Sequence, residues 1–362
     1  MSSSKNTLLI GTRKGLVVYE KSSSGWEYAG EHFDGIPVSY AIADPDNKIW
    51  WACQDHGHWG CKLHLSPDRG ASWEEVDAPK YAEDDEIKDG VAATLKYLWV
   101  LQPNINSDPN HILIGTEPGG LFESKNAGKE FELVRGLWDH PTRKEQWFGG
   151  GRDYAGIHSI VIDKDNHDHR YVGISCAGVF ETWDGGRQWE PKNKGLRADF
   201  LPDPSSEVGQ DPHLLVAHQV NQKVMWQQNH CGIFRSVDGA NQWEDISEPD
   251  GVANFGFVIT LDEKDENTAW VVPAVSDEKR LAINRALVVC RTSDGGKSWE
   301  KLTKGLPQNA CYDIVYRHGM DITGDTLVFG TTTGNLYLSE NRGDDWVSLN
   351  HNLPMIYSVR FV

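Results

Sequence analysis

The chain has 362 residues, with 35 basic against 53 acidic side chains and a net charge of −18. That balance favours solubility and repels polyanions, so nucleic acid and an anionic membrane surface are excluded as main partners. Fifteen tryptophans and 36 glycines against only 4 methionines suit short strands joined by tight turns. No sustained apolar heptad supports an all-helical fold.

In chain order, the apolar run Leu8 to Ile10 is too short for a signal-peptide core, and no stretch reaches membrane-span length. The expectation is a cytoplasmic protein with no membrane partner. The segment Leu8 to Tyr28 reads as three strands, the last two joined by Lys21-Ser-Ser-Ser-Gly25-Trp26. That short text is a worn copy of a pattern that then recurs. Its clear copies are Ser66-Pro-Asp68-Arg-Gly70-Ala-Ser-Trp73, Thr182-Trp-Asp184-Gly-Gly186-Arg-Gln-Trp189 and Thr292-Ser-Asp294-Gly-Gly296-Lys-Ser-Trp299. Looser copies run Ser124 to Phe131, Ser236 to Trp243 and Ser339 to Trp346, with Asn126 and Asn341 for Asp and Ala240 for Gly. Before each copy lie two strand signals, such as Ile112-Leu-Ile-Gly115-Thr with Gly120-Leu-Phe122, and Tyr171-Val-Gly173-Ile with Gly178-Val-Phe180. Earlier still comes an inner-strand signal, as in His158-Ser-Ile-Val-Ile-Asp163. The chain ends on a lone strand, Ile356 to Val362.

The residue types explain the pattern. A short Asp or Asn bonds the backbone of its own turn, Gly supplies a backbone angle that a side chain resists, and the Ser or Thr hydroxyl ties down a neighbouring amide. The closing aromatic then packs between repeats. These aromatics, Trp26, Trp73, Phe131, Trp189, Trp243, Trp299 and Trp346, recur at roughly the length of a four-stranded blade with its connections. The predicted fold is all-β: a seven-bladed β-propeller with Asp-box turns, one domain over 1–362. The C-terminal strand is expected to complete the first blade and close the ring.

These boxes resemble the BNR, or Asp-box, repeats of sialidases, two-domain xyloglucanases, sortilin and the propeller-type photosystem II assembly factor. The chain is also similar to bacterial proteins labelled sialidase-like or glycosyl hydrolase-like on such repeats. The resemblance implies a propeller, but the box is a turn-forming device and is not itself catalytic. It implies ligands on the face opposite the boxes, at the mouth of the central channel. Sialidases carry a Phe/Tyr-Arg-Ile-Pro motif and six blades. Here the nearest text is Asp34-Gly-Ile36-Pro37, without the Arg, so the reading does not extend to sialidase activity.

Three long connections, Trp73 to Leu98, Phe131 to His158 and Trp189 to His213, are expected to form an ordered cover over that face. Aligning the inner strands puts Ser39, Leu98, His158, His213, Phe257, Asp313 and Tyr357 around the upper channel. His230, in Gln227-Gln228-Asn229-His230-Cys231-Gly232, replaces the Gly-Thr-x-x-Gly found at the same turn elsewhere. His158, His213 and His230 are therefore the candidate ligands of one divalent transition metal. His158, His213 and Glu117 are the candidate catalytic bases. Arg152, Arg197, Trp147, Asp211 and Asp313 are the candidate ligand-binding residues. The bland alternatives stay open: channel histidines bonded to water or backbone, arginines paired with Asp199, Asp203 or Asp211, and tryptophans that only anchor loops. The pair His56 and His58 reads as exposed polar loop residues or a distant rim contact. Most of the six cysteines, which form no CxxC pair, read as small buried apolar residues, and Cys231 beside His230 as a structural thiol or a nucleophile. Two functions follow. One is an enzyme, hydrolase or lyase, acting on a small-molecule or carbohydrate-like ligand. The other is a non-catalytic scaffold for a protein partner.

Overall fold

The computed structural model describes residues 5–103 and 110–362. Among the described residues, seven four-stranded antiparallel sheets hold nearly all of the strands, beside one two-stranded hairpin and two short α-helical turns. The fold is a seven-bladed β-propeller, as the repeat predicts. No helix among the described residues is long and apolar enough to cross a membrane.

The chain divides into two compact units, Met1–Val38 with His213–Val362, and Ser39–Pro212. In the first unit, the sheet order is Gly25–His32, Gly15–Ser22, Thr7–Thr12 and Ile356–Phe361. The last strand of the chain thus pairs antiparallel with the first, Leu8 opposite Phe361 and Ile10 opposite Val359. This satisfies the backbone edge that Thr7–Thr12 would otherwise expose. Three further blades start at Pro212–Ala217, Gly256–Leu261 and Met320–Thr323. Strand side chains alternate between faces. Trp226, Ile233, Val258, Trp270, Val289 and Phe329 all fall on buried faces and share one apolar cluster. In the second unit the blades start at Val38–Ala43, Tyr97–Pro103 and Ile157–Ile162, around Trp51, Leu98, Ile114, Ile157, Val172 and Phe180.

The six complete boxes use one hydrogen-bond scheme. Each starts on the last residue of a third strand and ends just before the fourth. The hydroxyls of Ser66, Ser124, Thr182, Ser236, Thr292 and Ser339 each accept the amide four residues on, at 2.7–3.0 Å. The Asp or Asn two residues after the hydroxyl accepts the amide four residues beyond itself, also at 2.7–3.0 Å. Hydrogen bonds from Ser298 hold the Asp294 carboxyl down to about 2. Two successive residues of the turn are left-handed, for example Gly295 and Gly296 at φ 77° and 90°. Ala240 takes the second of these positions at φ 63°, where the other five boxes have Gly.

The long connections of the second unit are ordered and tied to each other. Arg135 pairs with Asp85, and Arg143 donates to the carbonyls of Ile87 and Glu86 at 2.8 and 2.9 Å. The Arg143 guanidinium also lies 3.7 Å from the centre of the Trp138 ring. Two of the three long connections, Trp73 to Leu98 and Phe131 to His158, are thus held to each other by an ion pair and cation-to-carbonyl contacts.

One strand start differs from the sequence alignment. Ser39, Leu98, His158, His213, Phe257 and Tyr357 each stand second in their strands, one residue from the predicted start. Asp313 does not, because its blade begins at Met320–Thr323. The segment before that strand bonds a turn instead: Thr332 donates its amide to Ile314 O at 3.0 Å, and Asn335 donates to the Asp313 carboxylate.

The turn scheme predicts the outcome of Thr292→Val, which keeps the shape but leaves the buried Gly296 amide without its acceptor. Urea denaturation should show a loss of about 1–3 kcal/mol. A change within about 0.5 kcal/mol, the size of an ordinary surface substitution, would remove the turn bond from the list of stabilising features.

Candidate functional site

The strand Pro212–Ala217 carries His213 as its second residue, 3% exposed. Its Nδ1 lies 2.6 Å from the Gly256 carbonyl. A carbonyl only accepts, so Nδ1 carries the proton and Nε2 carries the lone pair. The ring stacks on Phe257 at 4.8 Å and 19°, and meets Phe255 edge-on at 5.5 Å. Rotation is therefore blocked on two sides, and the tautomer is set by the carbonyl.

His230 stands in the tight turn between Met225–Asn229 and Gly232–Ser236. Buried amides shape this turn. Asn229 Oδ1 accepts the Cys231 amide at 3.0 Å, and Asn229 Nδ2 donates to Gln227 Oε1 at 3.1 Å. Gln228 Nε2 donates to Asn254 O at 2.8 Å. The His230 ring centre lies 5.6 Å from that of His213, and its Nε2 is 3.7 Å from Asp277 Oδ2.

Asp211, in the other unit, is 6% exposed, and its Oδ1 accepts the Cys176 amide at 3.1 Å. Within the first unit, His213 and His230 bring two imidazoles together. Such a pair suits a borderline divalent ion and leaves further coordination positions for water or ligand.

His158, the third histidine of the expected metal set, belongs to the other unit. It is fully buried in its own strand, with Nδ1 at 2.9 Å from Ser159 Oγ and its ring edge against Trp99.

A second group is built within the other unit. Glu117 ends the strand Ile112–Glu117 and is 2% exposed. Its Oε2 pairs with Arg152 Nη1 at 3.1 Å, and its Oε1 accepts the Tyr154 amide at 3.3 Å. Burial pushes the Glu117 carboxyl above its ordinary value, with Arg152 acting against the shift. The Arg152 guanidinium lies 3.8 Å from the centre of Tyr97 and 5.3 Å from that of Trp99. A Cβ on Gly156 would fall 2.2 Å from Trp99, so the loop reaches this ring only because residue 156 has no side chain.

The remaining candidates have structural partners. Arg197 pairs with Asp199 at 3.0 Å, and both are exposed. Trp147 Nε1 donates to Thr142 Oγ1, and the ring packs 5.2 Å from Phe180, so this residue anchors its loop. Asp313 is 3% exposed and is held by Asn335 and Thr333. Three features escaped the sequence reading: the Phe255–Phe257 wall, the Gly256 carbonyl and Asp277. Asp277 lies in the connection between the strands Ala269–Pro273 and Val289–Thr292.

No family model matches the chain, and no curated protein matches it in sequence. Solved structures do match in fold. An ancestral GH74 enzyme superposes with a TM-score of 0.57 at 19% identity, over 86% of this chain and 38% of its own. The chain thus spans well under half of that enzyme. YCF48 from Cyanidioschyzon merolae gives a TM-score of 0.55 at 14% identity, covering 92% of this chain and 90% of its own. YCF48 bound to D1 peptide gives 0.52 at 12%, with 86% and 85% covered. At these identities the likeness carries the propeller fold alone.

The raised Glu117 carboxyl makes a linkage prediction. The native state holds this proton above the ordinary value of 4.5, so the unfolded state releases it first as pH rises. The stability contribution of Glu117 is therefore full at low pH and falls as pH rises above 4.5. Urea midpoints of wild type and Glu117→Gln, compared from acid to neutral pH, should move in favour of the variant. A difference that stays constant with pH would contradict the buried, proton-retaining carboxyl.

Proposed function

We propose that the protein binds one divalent transition-metal ion through His213 and His230, and uses it on a small, carbohydrate-like ligand. The observation that carries this reading is the approach of the two imidazoles, whose ring centres lie 5.6 Å apart. The His213 geometry supports it. Metal-ligating imidazoles almost always donate their second nitrogen to a carbonyl or carboxylate, and Gly256 O fills that role here. The phenylalanine wall lowers the local dielectric, which strengthens charge interactions at the cluster. Held there, a divalent ion would polarise a ligand oxygen, and zinc would bring the pKa of bound water to about 7.

His213 holds one fixed donor nitrogen. His230 stands on a turn braced by buried amides. The resemblance to glycosyl hydrolase-like propellers favours a carbohydrate-like substrate. The absence of the sialidase Arg in Asp34-Gly-Ile36-Pro37 argues against sialic acid chemistry. A peptide-binding scaffold is the competing reading. The fold likeness to a propeller bound to a peptide supports it.

Elemental analysis of untagged protein tests the proposal. About one metal ion per chain is expected after equilibration with zinc, iron(II) or manganese. The doubly substituted His213→Ala/His230→Ala protein should lose it, while His158→Ala retains it. A wild type that takes up none of the three ions overturns the metal-centred reading and leaves the scaffold.

A further inference from the structure

Arg152 is an unequally used cation of the second unit. Among the described residues its guanidinium has one protein acceptor, Glu117 Oε2, reached through Nη1. A guanidinium carries five N–H donors in a planar fork. Here one is spent, and the side chain remains 37% exposed. Yet the group is not loose. Tyr97 holds it at 3.8 Å and Trp99 at 5.3 Å, and the buried Glu117 fixes one corner. An arginine pinned by rings and by one carboxylate, with its outer edge unspent, has already lost the rotamer freedom that binding an anion would otherwise cost.

The same loop has an apolar side. Phe148, four residues before Arg152, is 38% exposed and lies 6.2 Å from Phe200, itself 42% exposed. Close backbone approach holds the stretch between them. A Cβ on Gly150 would meet Cys176 Sγ at 2.6 Å and Asp211 Oδ2 at 3.9 Å. The loop therefore runs directly past Asp211 and delivers Arg152 to Glu117.

We propose that Arg152 is the anchor for the carboxylate of a small ligand, with Phe148 and Phe200 offering an apolar wall for its ring. The carboxylate takes the outer N–H edge of the guanidinium, matching the planar fork. Glu117 is a positioning residue that holds the inner edge. The ligand class is a sugar acid or a similar carboxylate-bearing ring. This subsite needs no metal, so it stands or falls separately from the metal reading.

Calorimetric titration of chelator-treated protein with D-glucuronate, D-glucose and inorganic phosphate tests the assignment. Glucuronate should bind about tenfold or more tightly than glucose, a ratio in the range of one charged hydrogen-bonded contact. Arg152→Ala should abolish that preference. Arg152→Lys keeps the charge but not the fork, and should retain only part of it with an unchanged thermal midpoint. Phe148→Ala should weaken glucuronate without removing the preference. The His213→Ala/His230→Ala protein should bind glucuronate as wild type does. Equal binding of glucuronate and glucose, or wild-type preference in a folded Arg152→Ala protein, overturns the proposal. Phosphate bound more tightly than glucuronate overturns the carboxylate assignment.

Discussion

The hydrogen bond from a backbone amide to a Ser or Thr hydroxyl four residues earlier is the interaction on which the molecule is built. It occurs in six turns, each joining the third strand of a sheet to the fourth. The bond is short and buried, so its loss would leave an amide without water or partner. It also fixes the chain direction that sends a Trp or Phe into the apolar layer. Trp243 is fully buried in this way, and Trp299 Nε1 reaches the Ile246 carbonyl at 2.9 Å. With the outer turns fixed, each sheet is held in register and its first strand is free to carry polar residues.

That freedom is used unevenly. Most first strands carry an apolar or small residue in second place, whereas Ile157–Ile162 and Pro212–Ala217 carry a buried histidine there, and in the blade of the latter the buried run Gln227, Gln228 and Asn229 follows. Burying so many polar groups costs stability unless each is bonded. Their bonds converge on one turn, and that turn carries His230. A propeller needing only stability gains more from apolar residues there. The expense is explained if the turn must hold an imidazole in a defined place beside His213.

The fold was legible in the sequence because its determinants are local. A hydroxyl, an acid, a glycine and an aromatic within eight residues specify a turn without reference to the rest of the chain. All six complete boxes coincide with the observed boundaries of third and fourth strands. Inner strands were nearly as readable, with six expected starts standing second in their strands. Asp313 failed because an apolar run beside a polar residue marks a strand whether or not its backbone pairs, and here Ile314 pairs with a turn amide instead.

The candidate site was legible in part. His213 and His230 could be matched because both lie on positions that the repeat aligns. His158 occupies the matching position of another blade, but its ring turns to Trp99 and Ser159. Side-chain direction depends on tertiary partners, here Trp99 and Ser159, and no local pattern states them. The most direct measurement is anomalous diffraction at the zinc edge from crystals equilibrated with zinc. One strong peak is expected within bonding distance of His213 Nε2 and a His230 ring nitrogen. A peak elsewhere, or none, would contradict the metal-centred reading.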